Sequence, residues 1–225
     1  MATTVEVLSE AFDEMGTPFI VGHPGGETVE LMEAARNRQV RFILMKQETA
    51  GAMLASTWGE ITGSPGVCVS TRGPGAANMV NGVAHAWMDR APLIAINDQY
   101  PGATLETGMR QVMNQHALFA PITKWQTTIH AKSVRQQIRR AIRVTTSPTP
   151  GPVQFDMPSN ETMNEASGSV AEAPLLPNIV PIEPDRKALE VPLQALSLAR
   201  KPILLVGLGV FWDKASAELV ALAER

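Results

Sequence analysis

The chain has 225 residues, 44% of them hydrophobic, and a formal net charge of -3. This length accommodates one large domain, or one domain and part of a second. The slightly acidic charge and the lack of a basic stripe argue against a nucleic-acid partner. No apolar run approaches the roughly 18 residues that a membrane-spanning helix needs, so no membrane partner is expected.

The N-terminal sequence and the cysteine usage favour a cytoplasmic protein. The first residues lack a basic segment followed by an apolar one, so no secretory signal is expected. The single cysteine, Cys68, lies in an apolar run and is predicted to be a buried core residue. A lone cysteine forms no intrachain disulfide, which fits a reducing compartment.

Apolar runs alternate with helical periodicities over the first 158 residues, which predicts an α/β fold. Strands are expected at residues 19–21, 42–45, 67–69, 93–96, 122–129 and 153–156, and helices at 5–15, 28–36, 49–58, 76–88 and 133–145. This alternation is typical of a parallel sheet with helices on both faces. The nearly all-apolar run at 42–45 is expected to be covered on both sides. Residues 97–117 lack a strong period and are predicted to form a functional loop.

A shift in composition marks a second, shorter unit. Residues 159–184 are rich in Glu, Ser, Asn and Pro, and we place a domain at 1–165 and a linker at 166–186. Residues 187–225 predict a helix, a strand at 203–206, a Gly-Leu-Gly turn and another helix. Because one such set cannot close a core, this segment is expected to be the beginning of an incomplete α/β domain.

Two glycine-rich turns and one glutamate follow three of the predicted strands. The turns occupy residues 22–26 and 71–76, and Glu48 follows the strand at 42–45. Because strand ends of a parallel sheet converge at one edge, these groups are expected to share a crevice. Glycine backbone beside a single carboxylate suits a flat heterocycle whose ring nitrogen contacts the acid.

Each of these motifs also has a purely structural interpretation. A glutamate at a helix start, such as Glu48, is stabilised by the helix dipole without any ligand. The glycine turns can be ordinary strand-to-helix connections, Asn78 a helix cap, and His23 a solvated or structural residue. No sequence pattern of metal ligands is present, so no metal-binding residue is predicted in this chain.

The order of these motifs resembles the N-terminal, pyrimidine-binding domain of thiamine-diphosphate enzymes of the acetohydroxyacid synthase type. The resemblance covers residues 1 to about 165, and residues 187–225 resemble the start of that family's middle domain. The matching segments are 22–26, 48–52, 71–78, 89–93, 114–115, 121–125, 150–153 and 156–158.

The resemblance assigns roles to individual residues. Glu48 matches the glutamate that hydrogen-bonds the cofactor's pyrimidine ring nitrogen, and Gln111 matches a loop glutamine that faces the substrate, so both are predicted to be catalytic. The residues predicted to bind thiamine diphosphate are Pro24, Gly25, Glu48, Gly73 and Asn78. The residues predicted to line the substrate pocket are His23, Gly26, Arg110 and Gln115.

The resemblance also implies an activity and partners. It implies a carboligase or decarboxylase acting on a small 2-keto acid, at least dimeric, with Mg²⁺ held by a domain absent from this chain and FAD possible. The Gly-Asp-Gly motif of that domain does not occur here, so this chain alone is expected to be inactive. Two alternatives stay open: a truncated or split subunit that acts as a dimerisation or regulatory partner, and a nucleotide-binding α/β protein suggested by fold analogy alone.

Three positions depart from the family's pattern. The family commonly has an aromatic residue at the position of His23, a small residue at Arg72 and an aromatic residue at Arg110. All three positions lie in or near the predicted crevice. The substrate and the acceptor therefore stay open, with acetolactate synthesis as one candidate.

Overall fold

A computed structural model describes residues 2–108, 110–167 and 183–225. The chain divides into two compact units, Met1–Pro177 and Asn178–Arg225. The strands of the first unit are β1 (Phe19–His23), β2 (Arg41–Leu44), β3 (Gly66–Ser70), β4 (Leu93–Gln99), β5 (Trp125–Thr128) and β6 (Pro152–Pro158). Its α-helices are α1 (Thr4–Glu14), α2 (Val29–Asn37), α3 (Glu48–Thr62), α4 (Pro74–Met88), α5 (Gln115–Phe119) and α6 (Val134–Thr146).

Local sequence signals explain where individual helices begin. At α1, the Thr3 hydroxyl accepts the Glu6 N–H while the Thr3 N–H donates to the Glu6 carboxylate at 2.7 Å. This reciprocal capping box satisfies two backbone N–H groups that have no partner within the helix. At α4, Pro74 occupies the first turn, where its missing N–H leaves no intrahelical bond unmade.

The six strands form one parallel sheet in the order β2-β1-β3-β4-β6-β5. The chain passes from β1 outward to β2 and then returns to place β3 on the other side of β1. The strand order therefore reverses between β1 and β3. In open α/β sheets, such a switch point opens a crevice at the carboxyl ends of the strands.

Helices cover both faces of the sheet, as the alternation of apolar runs predicted. Along β4, Ile94 and Ile96 enter one core with Phe12 of α1, whereas Leu93 and Ala95 enter the other. Successive strand residues point to opposite faces, so a continuous apolar strand feeds two cores. Cys68 is fully buried in the second core, which confirms its predicted role as a core residue.

Strand β2 corrects one expectation. The apolar run at 42–45 predicted a strand covered on both faces, but β2 lies at the sheet edge and pairs only with β1 among the described strands. Phe42 and Ile43 are half-buried, and Leu44 is 66% exposed. An apolar run alone does not report its place in the strand order, and an edge strand has only partial cover.

The predicted loop at 97–117 is also shorter than expected. Asn97, Asp98 and Gln99 extend β4, pair with β6 and are buried. These polar residues ended the apolar run, which is why the strand was predicted to stop at residue 96. The end of the predicted loop, from Gln115, is helix α5.

The second unit is described from residue 183 onward and contains α7 (Arg186–Leu198), α8 (Gly209–Trp212) and α9 (Ser216–Ala223). The strand predicted at 203–206 is wrong, because these residues have no strand conformation and Leu205 is fully exposed. A strand requires a hydrogen-bonding neighbour, and the described residues supply none for this segment. Most of the predicted linker, 168–182, lies outside the described residues, and the predicted domain boundaries stay a prediction.

Candidate active site

The carboxyl ends of β1, β2 and β3 bring the predicted site segments to one edge of the sheet. His23 at the end of β1 pairs in register with Ser70 at the end of β3, and Gly22 pairs with Leu44 of β2. The glycine turn at 24–26 therefore begins beside the turn at 71–75. Both turns lie at the switch point of the strand order.

Glu48 is the first residue of α3, and its side chain is held between two helix starts. The residue is only 6% exposed. Its Oε2 accepts a hydrogen bond from Asn78 Nδ2 in α4 at 3.2 Å. Two helix N-termini and an amide donor stabilise a carboxylate at this position.

Gly75 is buried and packs against the other oxygen of the same carboxylate. A Cβ placed on Gly75 would lie 3.2 Å from Glu48 Oε1 and 2.8 Å from the Thr71 methyl carbon. Any larger residue would therefore fill the space beside the acid. The absence of a side chain at Gly75 therefore lets α4 begin in close contact with the Glu48 carboxylate.

A close contact between α3 and α4 sets the separation of Glu48 and Asn78. The Thr49 hydroxyl donates to the Asn78 carbonyl oxygen. One turn further along α4, a Cβ on Gly82 would lie 2.5 Å from the Ala52 Cβ and 2.6 Å from the Thr49 carbonyl oxygen. The absence of a side chain at Gly82 thus lets the helices pack at this distance.

We expect Gly82→Ala to lower the free energy of unfolding by about 1–3 kcal/mol, because the added methyl group overpacks a backbone contact. Urea denaturation measures the loss. The exposed Asn81→Ala variant is the control, since it raises helix propensity in α4 without entering the interface. A Gly82→Ala variant as stable as Asn81→Ala would contradict the proposed close packing.

The turn before α4 depends on glycine at residue 73. Gly73 has φ 61°, in the left-handed region, and a Cβ there would lie 2.3 Å from the Gln111 carbonyl oxygen. Its N–H donates to Gln115 Oε1 at 2.9 Å. Gly73 and the Gln111 backbone are therefore neighbours, although the Gln111 residue as a whole is exposed.

A buried polar network lies beneath this turn, and sequence reasoning missed it. Asp156 Oδ1 accepts hydrogen bonds from Gln115 Nε2 and Gln154 Nε2, each at 2.7 Å. Gln154 also donates to Asn97 Oδ1 at 2.9 Å, and Asn97 donates to the Ser70 hydroxyl at 2.8 Å. The signal available in the sequence was that polar residues directly follow the apolar runs at 67–69 and 93–96.

A buried ion pair borders the network. Arg72 Nε lies 2.7 Å from Asp98 Oδ2, and the Arg72 and Asp98 side chains are 6% and 0% exposed. The Arg72 guanidinium also stacks 4.0 Å from the centre of the Tyr100 ring. Arginine at this position, where the resembled family commonly has a small residue, is thus fixed against the segment that follows β4.

The first glycine turn is attached to the end of β2. His23 Nδ1 lies 2.9 Å from the Met45 carbonyl oxygen, and the Gly25 N–H donates to the Thr28 hydroxyl at 3.1 Å. Pro24 and Gly25 are half-buried, whereas His23 and Gly26 are exposed. The turn can therefore present both backbone and an exposed imidazole to the crevice.

The remaining predicted pocket residues differ sharply in exposure. Arg110 is exposed, while Gln115 is 1% exposed and lies under Gly73. The structure brings together Glu48, Gly73, Asn78, Gln111 and Gln115 around the start of α4. Over the described ranges, no cluster of His, Cys, Asp and Glu has the arrangement of a metal site.

Comparison with known proteins identifies the family. Residues 2–118 match the family model described as "Thiamine pyrophosphate enzyme, N-terminal TPP binding domain". A probable acetolactate synthase large subunit of Methanocaldococcus jannaschii is 33% identical over 97% of this chain and 38% of its own length. Chloroplastic acetolactate synthase of Arabidopsis thaliana is 32% identical over 91% of this chain and 31% of its own length.

A solved structure is similar to the same domain. The thiamine diphosphate-dependent 4-hydroxybenzoylformate decarboxylase of Rhodococcus jostii superposes with a TM-score of 0.85 at 25% identity, covering 99% of this chain and 42% of that one. The chain thus spans roughly a third to two fifths of these relatives. Among the described helices, none has the length and apolar character needed to cross a bilayer. The chain belongs to the thiamine pyrophosphate enzyme family, carries its N-terminal TPP-binding domain, and is similar to acetolactate synthase large subunits.

Proposed function

We propose that this chain forms the pyrimidine-binding part of a thiamine-diphosphate-dependent carboligase or decarboxylase that acts on a 2-keto acid. The observation that carries the proposal is the Glu48 carboxylate, which is 6% exposed, bonded to Asn78 and bordered by the bare Cα of Gly75. A buried acid beside glycine backbone suits a flat, nitrogen-containing ring.

The residues present fit an aminopyrimidine. Asn78 donates to Glu48 Oε2, and the other oxygen, Oε1, lies beside the Gly75 backbone. Glu48 would hold a proton at the ring nitrogen, with Gly73 and Gly75 against the ring and the Pro24–Gly25 turn at the edge of the site. A charge-assisted hydrogen bond of this kind is about twice as strong as a neutral one.

Thiamine diphosphate, when bound, supplies the electron sink that decarboxylation of a 2-keto acid requires. Glu48 would orient the ring and hold its proton, and because the residue is only 6% exposed, competition from water is limited. His23, Gly26, Arg110 and Gln111 are the candidates for substrate contact, because they lie on exposed parts of the two segments that border the crevice.

The names of similar proteins support the substrate class. One relative is an acetolactate synthase of plants, and the solved structure is a decarboxylase of 4-hydroxybenzoylformate. We extend a 2-keto acid substrate to this chain on that basis. Mg²⁺ held outside this chain, a homo-oligomer of at least two chains and a cytoplasmic location belong to the same proposal and rest on the family resemblance, with FAD left open as a further cofactor.

Mapping thiamine on the ¹⁵N-labelled chain by NMR tests the proposal. We expect thiamine to shift the amide signals of Glu48, Gly73, Gly75 and Asn78, and to leave those of Gly16 and Gln39 unchanged. The latter two border a groove near the amino ends of β1 and β2, on the opposite edge of the sheet. Saturable shifts with NAD or ATP, and none with thiamine, would instead support the nucleotide-binding alternative.

A further inference from the structure

The Gln115 side chain is fully used in holding the turn at Gly73. Its Oε1 accepts the Gly73 N–H at 2.9 Å, and its Nε2 donates to the Asp98 carbonyl oxygen at 3.1 Å and to Asp156 Oδ1 at 2.7 Å. The residue is 1% exposed. Both amide hydrogens and the amide oxygen thus bind protein groups, and almost no surface is left for a substrate.

Gln115 joins segments that are distant in the sequence. Asp98 lies in β4, Asp156 lies in β6, and Gly73 follows β3. A single side chain at the start of α5 therefore fixes the turn against the ends of two neighbouring strands. Loss of this side chain would remove the acceptor of the buried Gly73 N–H and one of the two donors to Asp156 Oδ1, at a cost that a low-dielectric interior increases.

The Gly73 turn leads directly into α4, and the first turns of α4 carry the groups around Glu48. Asn78 donates to Glu48 Oε2, and the Gly75 backbone lies beside Oε1. Since Gly73 immediately precedes Pro74, the first residue of α4, a shift of this turn would move both of these groups relative to Glu48.

We propose that Gln115 is a positioning residue, which sets the Gly73 turn and thereby the start of α4 against the Glu48 carboxylate. Gln115 acts on the site through the Gly73 turn and does not itself contact the ligand. The effect on thiamine affinity rests on the proposed function, whereas the effect on the Gly73 turn does not.

The matched pair Gln115→Met and Gln126→Met tests this role in the whole chain. Gln126 is a half-buried glutamine whose amide donates to the His116 carbonyl oxygen at 2.9 Å, so it controls for the loss of a side-chain amide that holds a backbone carbonyl away from Gly73. Amide hydrogen exchange followed by NMR reports opening of the Gly73 N–H, and the amides of Val69 and Ile96 report the core strands.

We expect Gln115→Met to accelerate exchange of the Gly73 amide about 10-fold more than that of the core-strand amides, as the loss of one buried hydrogen bond predicts. We also expect thiamine affinity to fall about 10-fold, with no such change in Gln126→Met. Equal acceleration of all these amides, with unchanged thiamine affinity, would reduce Gln115 to an ordinary stabilising residue and overturn the proposal.

Gln115→Glu keeps the proposal testable if Gln115→Met does not fold. A glutamate at this position retains the acceptor for the Gly73 N–H. The neighbouring Asp156 carboxylate would raise the pKa of that glutamate, and its protonated form also retains one donor. We expect its Gly73 amide to stay protected relative to the core strands; a selective loss of that protection would contradict the role assigned to Oε1. Failure of both the wild-type chain and the assembled enzyme to bind thiamine would defeat the proposed function, while the exchange data would still decide the role of Gln115.

Discussion

Replacing Glu48 with glutamine is expected to slow hydrogen–deuterium exchange at the thiazolium carbon of thiamine diphosphate by about 10²- to 10⁴-fold in the assembled enzyme. Glutamine is almost isosteric and can still accept the Asn78 hydrogen bond through its amide oxygen. It lacks the negative charge that holds a proton at the ring nitrogen. The expected loss therefore concerns proton transfer and not folding.

Glu60→Gln provides the matched control for Glu48→Gln. Glu60 lies in the same helix, α3, and its replacement removes the same charge near the opposite end. We expect exchange in Glu60→Gln to equal that of the wild type. Unchanged exchange in Glu48→Gln would show that the carboxylate has no part in activating the cofactor.

Asp98→Ala is expected to lower the free energy of unfolding by about 3–5 kcal/mol, the largest stability effect that we predict. Asp98 is fully buried, and its Oδ2 lies 2.7 Å from Arg72 Nε. The substitution leaves the Arg72 side chain, which is 6% exposed, without this carboxylate. The stack on Tyr100 remains, but a cation–π contact does not replace an ionic partner at close range.

The free energies of unfolding of two further variants are compared with that of Asp98→Ala by urea denaturation. Arg72→Met/Asp98→Leu removes both charges, so we expect it to be more stable than Asp98→Ala. Glu33→Ala breaks the exposed pair with Arg36 and is expected to leave stability close to that of the wild type. Equal stability of Asp98→Ala and Glu33→Ala would show that burial adds nothing to the Arg72 pair.

Much of the architecture could be predicted because its signals are local. The apolar run at 93–96 marked β4, and the alternation of such runs with helical periods indicated helices on both faces of a parallel sheet. Strand order is different, since it depends on which runs pair across the chain. That is why the exposed edge position of β2, with Leu44 at its end, could not be read from its composition.

The candidate site shows the same division between local and long-range information. Glu48 and the Gly73 turn could be assigned to one crevice, because both follow strands of a parallel sheet. The contacts that orient them join residues about 30 to 40 positions apart, as in Asn78 with Glu48 and Gln115 with Gly73. Gln115 was predicted to line the substrate pocket, and its place beneath the turn depends on the fold of α5, which has only five residues.

The central claim is that Glu48 contacts the ring nitrogen of an aminopyrimidine. The most direct measurement is a double-mutant cycle in which wild-type and Glu48→Ala chains are titrated with thiamine and with its analogue that has CH in place of that nitrogen. If Glu48 makes a charged hydrogen bond to the ring nitrogen, the two changes are coupled. The loss of affinity when both are made together is then smaller than the product of the two single losses by about 10-fold or more. Independent effects of the two changes would contradict the contact and, with it, the proposed site.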